Sequence, residues 1–347
     1  MAMNALLGTP GKAVWVHRVT GIVMLLPFIA GLSGCDGIMS ILDVRGPMAE
    51  QIARLWWVLF WGSVVLGGGT IALVLYVVTR PHERAPRIGS GMGVMIGGGV
   101  VLPVVTLWAL LIYGVSLGTR QVGGEEPPAL TIEVVGHRFW WEVRYPDPVE
   151  PDEYVVSANE IHIPAGVPVD FFVSSADVIH SFWVPNLGGK IDMIPGRVNQ
   201  IRLQANEPGV FRGQCAEYCG PQHARMAFFV RAHPPEAFEE WLAAERGEAE
   251  EPTSDLAVQG REQFFQQACM ECHTIRGTPA RGRAGPDLTR LGARKTLGAG
   301  TLEMSEENIA EWIAHNQQLK PGNRMLPYEH LDEETLQALS AYLESLQ

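Results

Sequence analysis

Two stretches of this chain constrain it more than anything else: no charged residue occurs between Arg54 and Arg80, and none between Arg87 and Arg120. Each run is long enough to cross a hydrocarbon core of roughly 30 Å, so residues 50–119 are expected to form a two-helix transmembrane hairpin. Trp56, Trp57 and Trp61 crowd the start of the first run, where interfacial aromatics belong. The connection at 80–87, "RPHERAPR", carries three arginines and one acid, which places it in the cytoplasm by the positive-inside rule. Everything after residue 120 is then expected on the outer side of the membrane.

At 347 residues the chain exceeds one ordinary domain. Its net charge of -12, with no basic stripe, excludes nucleic-acid binding, which needs cations to displace counterions from a phosphate backbone. The five cysteines fall into two tight pairs, Cys215/Cys219 and Cys269/Cys272, plus the isolated Cys35, and this is not the scatter of a disulfide-stapled secreted domain. Cys35 closes "LSGC" after the basic residues Lys12 and Arg18 and an uncharged run from Val19 to Gly34. The arrangement resembles a bacterial lipoprotein signal, with residues 1–34 the signal peptide and Cys35 the lipidated new N-terminus. The plainer reading is a first membrane helix with an incidental thiol.

Beyond the hairpin the texture changes. Short β-rich runs such as "LTIEVVG", "VDFFVSS" and "MAFFVRA", separated by Pro, Gly and Asn, predict an antiparallel all-β sandwich over 120–235. Residues 236–254 are dominated by Glu, with Arg246 the one basic residue, and read as an acidic linker that starts helical and ends as a polar tether. Residues 255–347 read as all-α. Ser305 is placed to cap one helix with Met304 and Ile309 as its staple, and Asp332 to cap another with Leu331 and Leu336.

The loop "GVFRGQCAEYCGPQHARM" at 209–226 concentrates Cys215, Cys219, His223 and Met226. Thiolates with imidazole and thioether select copper or zinc over hard cations, and a structural zinc site has no use for the methionine. One further ligand should come from another strand, and His180 is the candidate. The series H-S-F-W-V-P from His180, K-x-D-x-x-P-G-R from Lys190, and G-Q-C-A-E-Y-C-G-P-Q-H-A-R-M resembles the CuA-bearing, cupredoxin-like domain of cytochrome c oxidase subunit II. That resemblance covers roughly residues 50 to 232, hairpin included. It implies that Cys215 and Cys219 bridge two coppers, that His180 and His223 each terminate one, and that Met226 and the Glu217 carbonyl are weak axial ligands. It also implies a magnesium or manganese ion on the Glu217 carboxylate, and Lys190, Asp192 and Arg197 against the catalytic subunit. In "GHRFWWEVRY" at 136–145, Phe139 stands where the family has the tryptophan that takes electrons from cytochrome c. The second apolar run lacks the glutamate that many relatives place at a proton channel, so no proton-uptake role is assigned.

Cys269, Cys272 and His273 spell C-x-x-C-H, the attachment signature of a c-type haem, with the histidine as proximal ligand. Met325, in "KPGNRMLP", is the expected second axial ligand and resembles the methionine loop of class I cytochromes c. Met304 is explained as a helix staple, and Met270 is too close in sequence to reach the far haem face. The other histidines, His82, His137, His162, His233, His315 and His330, have no partner ligand at a sensible spacing and are expected in turn, surface or core roles.

Hairpin, copper sandwich and fused cytochrome in this order resemble subunit II of a caa3-type oxidase. The resemblance implies an electron-input chain of the bacterial plasma (inner) membrane, facing the periplasm. Electrons would pass from a cytochrome c or bc complex to haem c, to CuA, and to haem in subunit I, with subunit III alongside, where O2 is reduced to water with proton pumping. The CuA subunit of a nitric oxide reductase is the alternative. A copper carrier has no need of covalent haem, and a thiol exchanger would have a helix-start C-x-x-C in place of the C-x3-C.

Overall fold

The computed structural model describes residues 37–79, 91–118, 128–146 and 154–347. Cys35, the expected signal peptide at 1–34 and the 80–87 connection lie outside the described residues.

Helix α1 (Pro47–Thr79) is 33 residues long, about 50 Å at 1.5 Å per residue and more than a bilayer core requires. The surplus is at its start, where the helix is bolted to the β domain. The Ala49 amide donates to Leu187 O at 3.2 Å, Ala49 and Ala53 are buried, and Met48 packs over Gly188, where an added Cβ would lie 2.6 Å from the methionine sulfur. From Trp61 to Thr79 every side chain is exposed. So much uncovered apolar surface fits a membrane-anchored helix. The second span, Gly91–Gly118, is 28 residues of the same character. It comprises α2 (Gly91–Ile96), a π-helical turn (Gly97–Val101) and α3 (Leu102–Gly118). Pro103, having no N–H to give, follows the wide turn immediately.

The sandwich has two five-stranded sheets. One is ordered β3-β2-β1-β5-β8 and the other β4-β10-β9-β6-β7, from β1 (Leu130–His137), β2 (Trp140–Pro146), β3 (Tyr154–Ala158), β4 (Glu160–Pro164), β5 (Val169–Ser175), β6 (His180–Trp183), β7 (Lys190–Met193), β8 (Asn199–Leu203), β9 (Gly209–Cys215) and β10 (Ala227–His233). Side chains alternate across the pleat: in β2, Trp141, Val143 and Tyr145 are buried while Glu142 and Arg144 face outward. The sheets are not purely antiparallel, because β1 runs parallel to β5 and β4 parallel to β10. Local alternation sets a strand's faces and says nothing of its neighbour's direction. Trp141, Phe182 and Phe228 fill the centre, with Phe228 4.8 Å from each of the other two ring centroids.

Residues 235–245 are helical, as the start of the acidic stretch was expected to be, but they are packed against the sandwich. They form helix α4 (Pro235–Glu245), whose Phe238 and Leu242 are buried in the sandwich core. The acidic composition masks an apolar i, i+3, i+4 stripe of Phe238, Trp241 and Leu242.

The C-terminal unit packs α5 (Asp255–Gln266), α6 (Glu306–Leu319) and α7 (Glu333–Ser345) around Phe264, Ile313, Leu339 and Tyr342. Ser305 and Asp332 cap as expected, accepting from the Asn308 and Thr335 amides at 3.1 and 2.8 Å. Helices α5 and α7 touch backbone to backbone at Gly260, where a Cβ would sit 1.8 Å from Ala338 O. Gly260→Val is therefore expected to destabilise this unit by about 3 kcal/mol or more. Thermal loss of the haem Soret band in the intact protein will read it; a melting temperature equal to the parent's would refute this account of the helix crossing.

Candidate metal centre and haem pocket

Antiparallel pairing of β6 with β9 sets Phe182 opposite Cys215 and so brings His180, at the start of β6, to the end of β9. The chain then leaves the sheet, loops over and returns as β10. Its closure is fixed by the Cys215 amide donating to Met226 O at 3.0 Å and the Ala216 amide to Ser181 O at 3.0 Å. A 3-10 turn over His223–Arg225 presents His223 from the returning limb.

All six expected donors converge on this loop. The Cys215 and Cys219 sulfurs are 3.8 Å apart. His180 Nδ1 lies 3.8 Å from the Cys215 sulfur, and His223 Nδ1 lies 3.8 Å from the Cys219 sulfur. The Glu217 carbonyl is 3.2 Å from Cys215 Sγ, and Met226 Sδ is 3.8 Å from Cys219 Sγ. Each sulfur therefore has one imidazole and one weaker donor of its own. His180, Cys215 and Cys219 have donor atoms within 4.8 Å of one another, and His223 is not part of that set. A single tetrahedral ion with bonds of about 2.0–2.3 Å would draw all four strong donors to within about 4 Å of each other. The donors fall into two like sets about the pair of sulfurs, a soft set suited to copper.

The surroundings are dry and pre-set. Cys215, Cys219, His180 and Met226 are buried. The Cys219 thiol, donating to its neighbour, holds the Cys215 pKa far below the usual thiol value, while Cys219 itself is pushed up by facing that sulfur. Metal binding must displace the remaining proton. Asp177, which the sequence reading missed, accepts at Oδ1 from His180 Nε2 at 2.9 Å, leaving Nδ1 turned to the sulfur. The amides of Val178 and Arg138 donate to the same carboxylate at 2.8 and 2.9 Å. Burial would raise the Asp177 pKa, but these bonds outweigh it and the carboxylate is held below its ordinary range. Burial likewise opposes charge on His180, and its bonds to Cys215 and Asp177 outweigh that. A carboxylate three residues before the histidine was the available clue.

Elsewhere, the Glu217 carboxylate accepts from the Tyr218 amide at 3.3 Å. Lys190 and Asp192 are half-exposed and 3.9 Å apart. His162 and His233, expected in turn, surface or core roles, are hydrogen-bonded ring to ring at 2.8 Å. Burial drives the His162 pKa to about 2 and lowers that of His233. Parallel pairing of β4 with β10 joins them, across a sequence gap that spacing could not bridge.

A cavity of about 460 Å³ in the C-terminal unit is lined by Cys269, Cys272 and His273, and by Met325 from the loop after α6. Apolar side chains including Leu288, Leu291 and Ile313 complete the lining. His273 Nδ1 bonds to Pro286 O at 2.7 Å, which leaves Nε2 to serve a metal. Gly285 is needed beside it, since a Cβ there would lie 2.6 Å from His273 Cε1. Burial lifts the Cys269 pKa to about 11, suiting a thiol consumed in a thioether more than a free nucleophile. Met304 and Met270 pack against the helical core and do not line the cavity. The residues present fit a covalent haem with His/Met axial ligation. His137, Phe139 and Trp140 of the sandwich line the same cavity.

Because Asp177 holds the His180 ring at Nε2, Asp177→Asn is expected to weaken copper retention about 10–100-fold. Competition against a chromophoric copper chelator measures this; retention equal to the parent's would show that Asp177 does not orient the ligand.

Residues 130–233 match the family model for the cytochrome c oxidase subunit II periplasmic domain, and residues 257–347 match that for cytochrome c. The cytochrome c oxidase subunit 2 of Alkalihalophilus pseudofirmus is 37% identical over 336 residues, covering 91% of this chain and 93% of its own. That of Bacillus subtilis is 30% identical over 357 residues, covering 95% and 97%. The crystal structure of the periplasmic domain of subunit II of cytochrome oxidase of Bradyrhizobium japonicum is 33% identical, covers 35% of this chain and 96% of its own, and has a TM-score of 0.33. With both units matched in order and a curated relative aligned across nearly the whole length, the chain belongs to the cytochrome c oxidase subunit II family, in its caa3-type form with a fused cytochrome c domain.

Proposed function

We propose that this chain carries electrons into the oxidase through two centres of its own: a covalent haem held by Cys269, Cys272, His273 and Met325, and a dinuclear copper centre held by His180, Cys215, Glu217 O, Cys219, His223 and Met226. The observation that carries the reading is the division of six donors into two like halves around a shared pair of sulfurs. When bound, the two groups supply a one-electron relay from a cytochrome c or bc complex donor to haem in subunit I.

The chain's own part is to hold geometry. The two thiolates would hold the copper, which would supply one-electron chemistry there, and the loop's closure onto β6, β9 and β10 keeps its donors from moving when charge changes. Asp177 keeps the His180 tautomer, and burial keeps water from the sulfurs. The units 50–119, 120–235 and 255–347 serve as anchor, copper domain and cytochrome. Residues 236–254 join the last two as α4 and a short polar run, not as a free tether. The proposed setting is the bacterial plasma membrane, with both redox units on the periplasmic side, against subunits I and III of a proton-pumping translocase. A nitric oxide reductase is not favoured, since the relatives bear the name cytochrome c oxidase subunit 2. The family's magnesium or manganese ion on Glu217 and a diacyl anchor on Cys35 belong to this proposal only as the resemblance implies them.

Metal analysis of this chain purified apart from the catalytic subunit, which holds copper of its own, is expected to return about two coppers per haem c, and Cys219→Ser to lower this to about one or none while haem c is retained. One copper per haem in the parent would sink the dinuclear reading. Mass spectrometry is expected to find the mature chain beginning at a lipid-modified Cys35; an unmodified cysteine within a longer chain would remove the anchor from the proposal.

A further inference from the structure

The two redox units meet along a polar seam, and one residue in it is out of place by ordinary rules. Lys320, the residue that ends α6, is 2% exposed. Burying an ammonium costs several kcal/mol unless it is compensated, and such a group is normally compensated by a carboxylate. Here the acceptors are two backbone carbonyls, one from each unit: Phe139 O at 2.9 Å and Gly298 O at 2.6 Å. Burial draws the amine's pKa down to about 7, although the nearby Cys219 sulfur favours the charged form.

What surrounds Lys320 supplies the reason to keep it. Phe139 and Lys320 both line the cavity that holds Cys272, His273 and Met325. The Phe139 ring rests on Gly220, where a Cβ would be 3.2 Å from it, and Gly220 lies between Cys219 and His223 of the copper loop. The neighbours of Lys320 are grasped from the same loop. Gln222 donates to Pro321 O at 2.9 Å, and Arg225 donates to Leu319 O. Four residues beyond Pro321 stands Met325, whose carbonyl is held by Gln317 Nε2 at 2.8 Å and whose amide donates to Asn323 Oδ1 at 2.8 Å. One short segment thus touches the copper loop at one end and carries the haem-side methionine at the other.

We propose that Lys320 is a positioning residue for transfer between the two centres: by tying the Phe139 carbonyl to the Gly298 carbonyl, it seats the haem cavity on the Phe139–Gly220 contact of the copper loop. The transfer it serves moves one electron from reduced iron to the oxidised copper pair, makes and breaks no bond, and takes no proton from Lys320. The assignment rests on the relay reading above. It goes beyond it in naming the group that fixes how the two units meet.

The test is Lys320→Met in the full-length chain within the assembled oxidase, with two readouts. The first is hydrogen exchange at the Ala227, Lys295 and Thr296 amides, which cross the seam to Ala299 O and to Glu160 Oε1. The second is the rate at which a photoreduced haem c passes its electron to copper. Exchange at the three amides is expected to rise about tenfold or more as the seam opens locally, with core amides of β1 and α7 unchanged. Transfer is expected to slow about tenfold or more, because small misplacements are costly to a positioned reaction. Both absorption spectra and the copper-to-haem ratio should be retained, and Lys320→Arg should recover at least half of the lost rate. Exchange and transfer both within twofold of the parent would overturn the assignment. So would seam exchange that rises while transfer stays at the parent's rate, because Lys320 would then be only a structural tie. Should Lys320→Met fail to accumulate, Lys320→Gln, which keeps one donor, is read by the same two measures and the same limits. One copper per haem in the parent chain would defeat the relay reading, whereas the exchange result bears on the seam alone.

Discussion

Everything functional in the copper domain hangs on the short antiparallel pairing of β6 with β9. It places a histidine from one hairpin against a cysteine at the end of another strand, thirty-five positions apart in sequence. The loop that follows has only to close on β10 to deliver the second cysteine, the second histidine and the methionine. Because the loop's ends are tied by backbone bonds on both sides, its donors arrive already converged. That is what an electron-transfer site requires: ligands that need not move when charge changes.

A second set of buried charges fixes how the cytochrome unit meets the sandwich. Glu160 on β4 is 2% exposed, bonds Arg231 at 2.8 Å and also accepts from the Lys295 and Thr296 amides of the other unit. Arg276 donates to Val156 O in the sandwich, to Glu245 O at the end of α4, and to Asp287 within its own unit. Arg294 and Glu245 are buried in the same region, each with its charged form disfavoured by burial and Arg294 supported by neighbouring carboxylates. Such networks add little net stability over apolar packing, yet they penalise every alternative docking that leaves a charge unpaired. Geometry, more than affinity, is what they secure. A fused donor also needs no strong docking surface, since its effective concentration at the partner is set by the connection.

The membrane hairpin contributes by where it starts. The first two turns of α1 are packed into the base of the sandwich through Met48, Ala49 and Ala53, so the β domain is held directly at the start of the long apolar helix. Only its later turns are uncovered, from Trp61 onward, and they fit a membrane-anchored subunit by length and apolar composition.

The two apolar spans, the β-rich middle, the helical end and the ten residues gathered at the two candidate sites were all legible along the chain, because each is written locally. Charge-free runs reflect the cost of ions in hydrocarbon, the helix caps are set by residues three apart, and C-x-x-C-H holds three attachment groups in five positions. Hidden were the features that belong to pairs of distant segments. These were the parallel neighbours β1/β5 and β4/β10, the His162–His233 bond, Asp177 behind His180, the burial of α4 under an acidic composition, and Lys320 beneath Phe139. A strand's alternation is the same whichever way its neighbour runs, and a lysine's code is the same in water or in a seam. Composition and spacing determined which chemistry this protein can hold, whereas only the packing of one segment against another decided which groups orient it and how the two centres face each other.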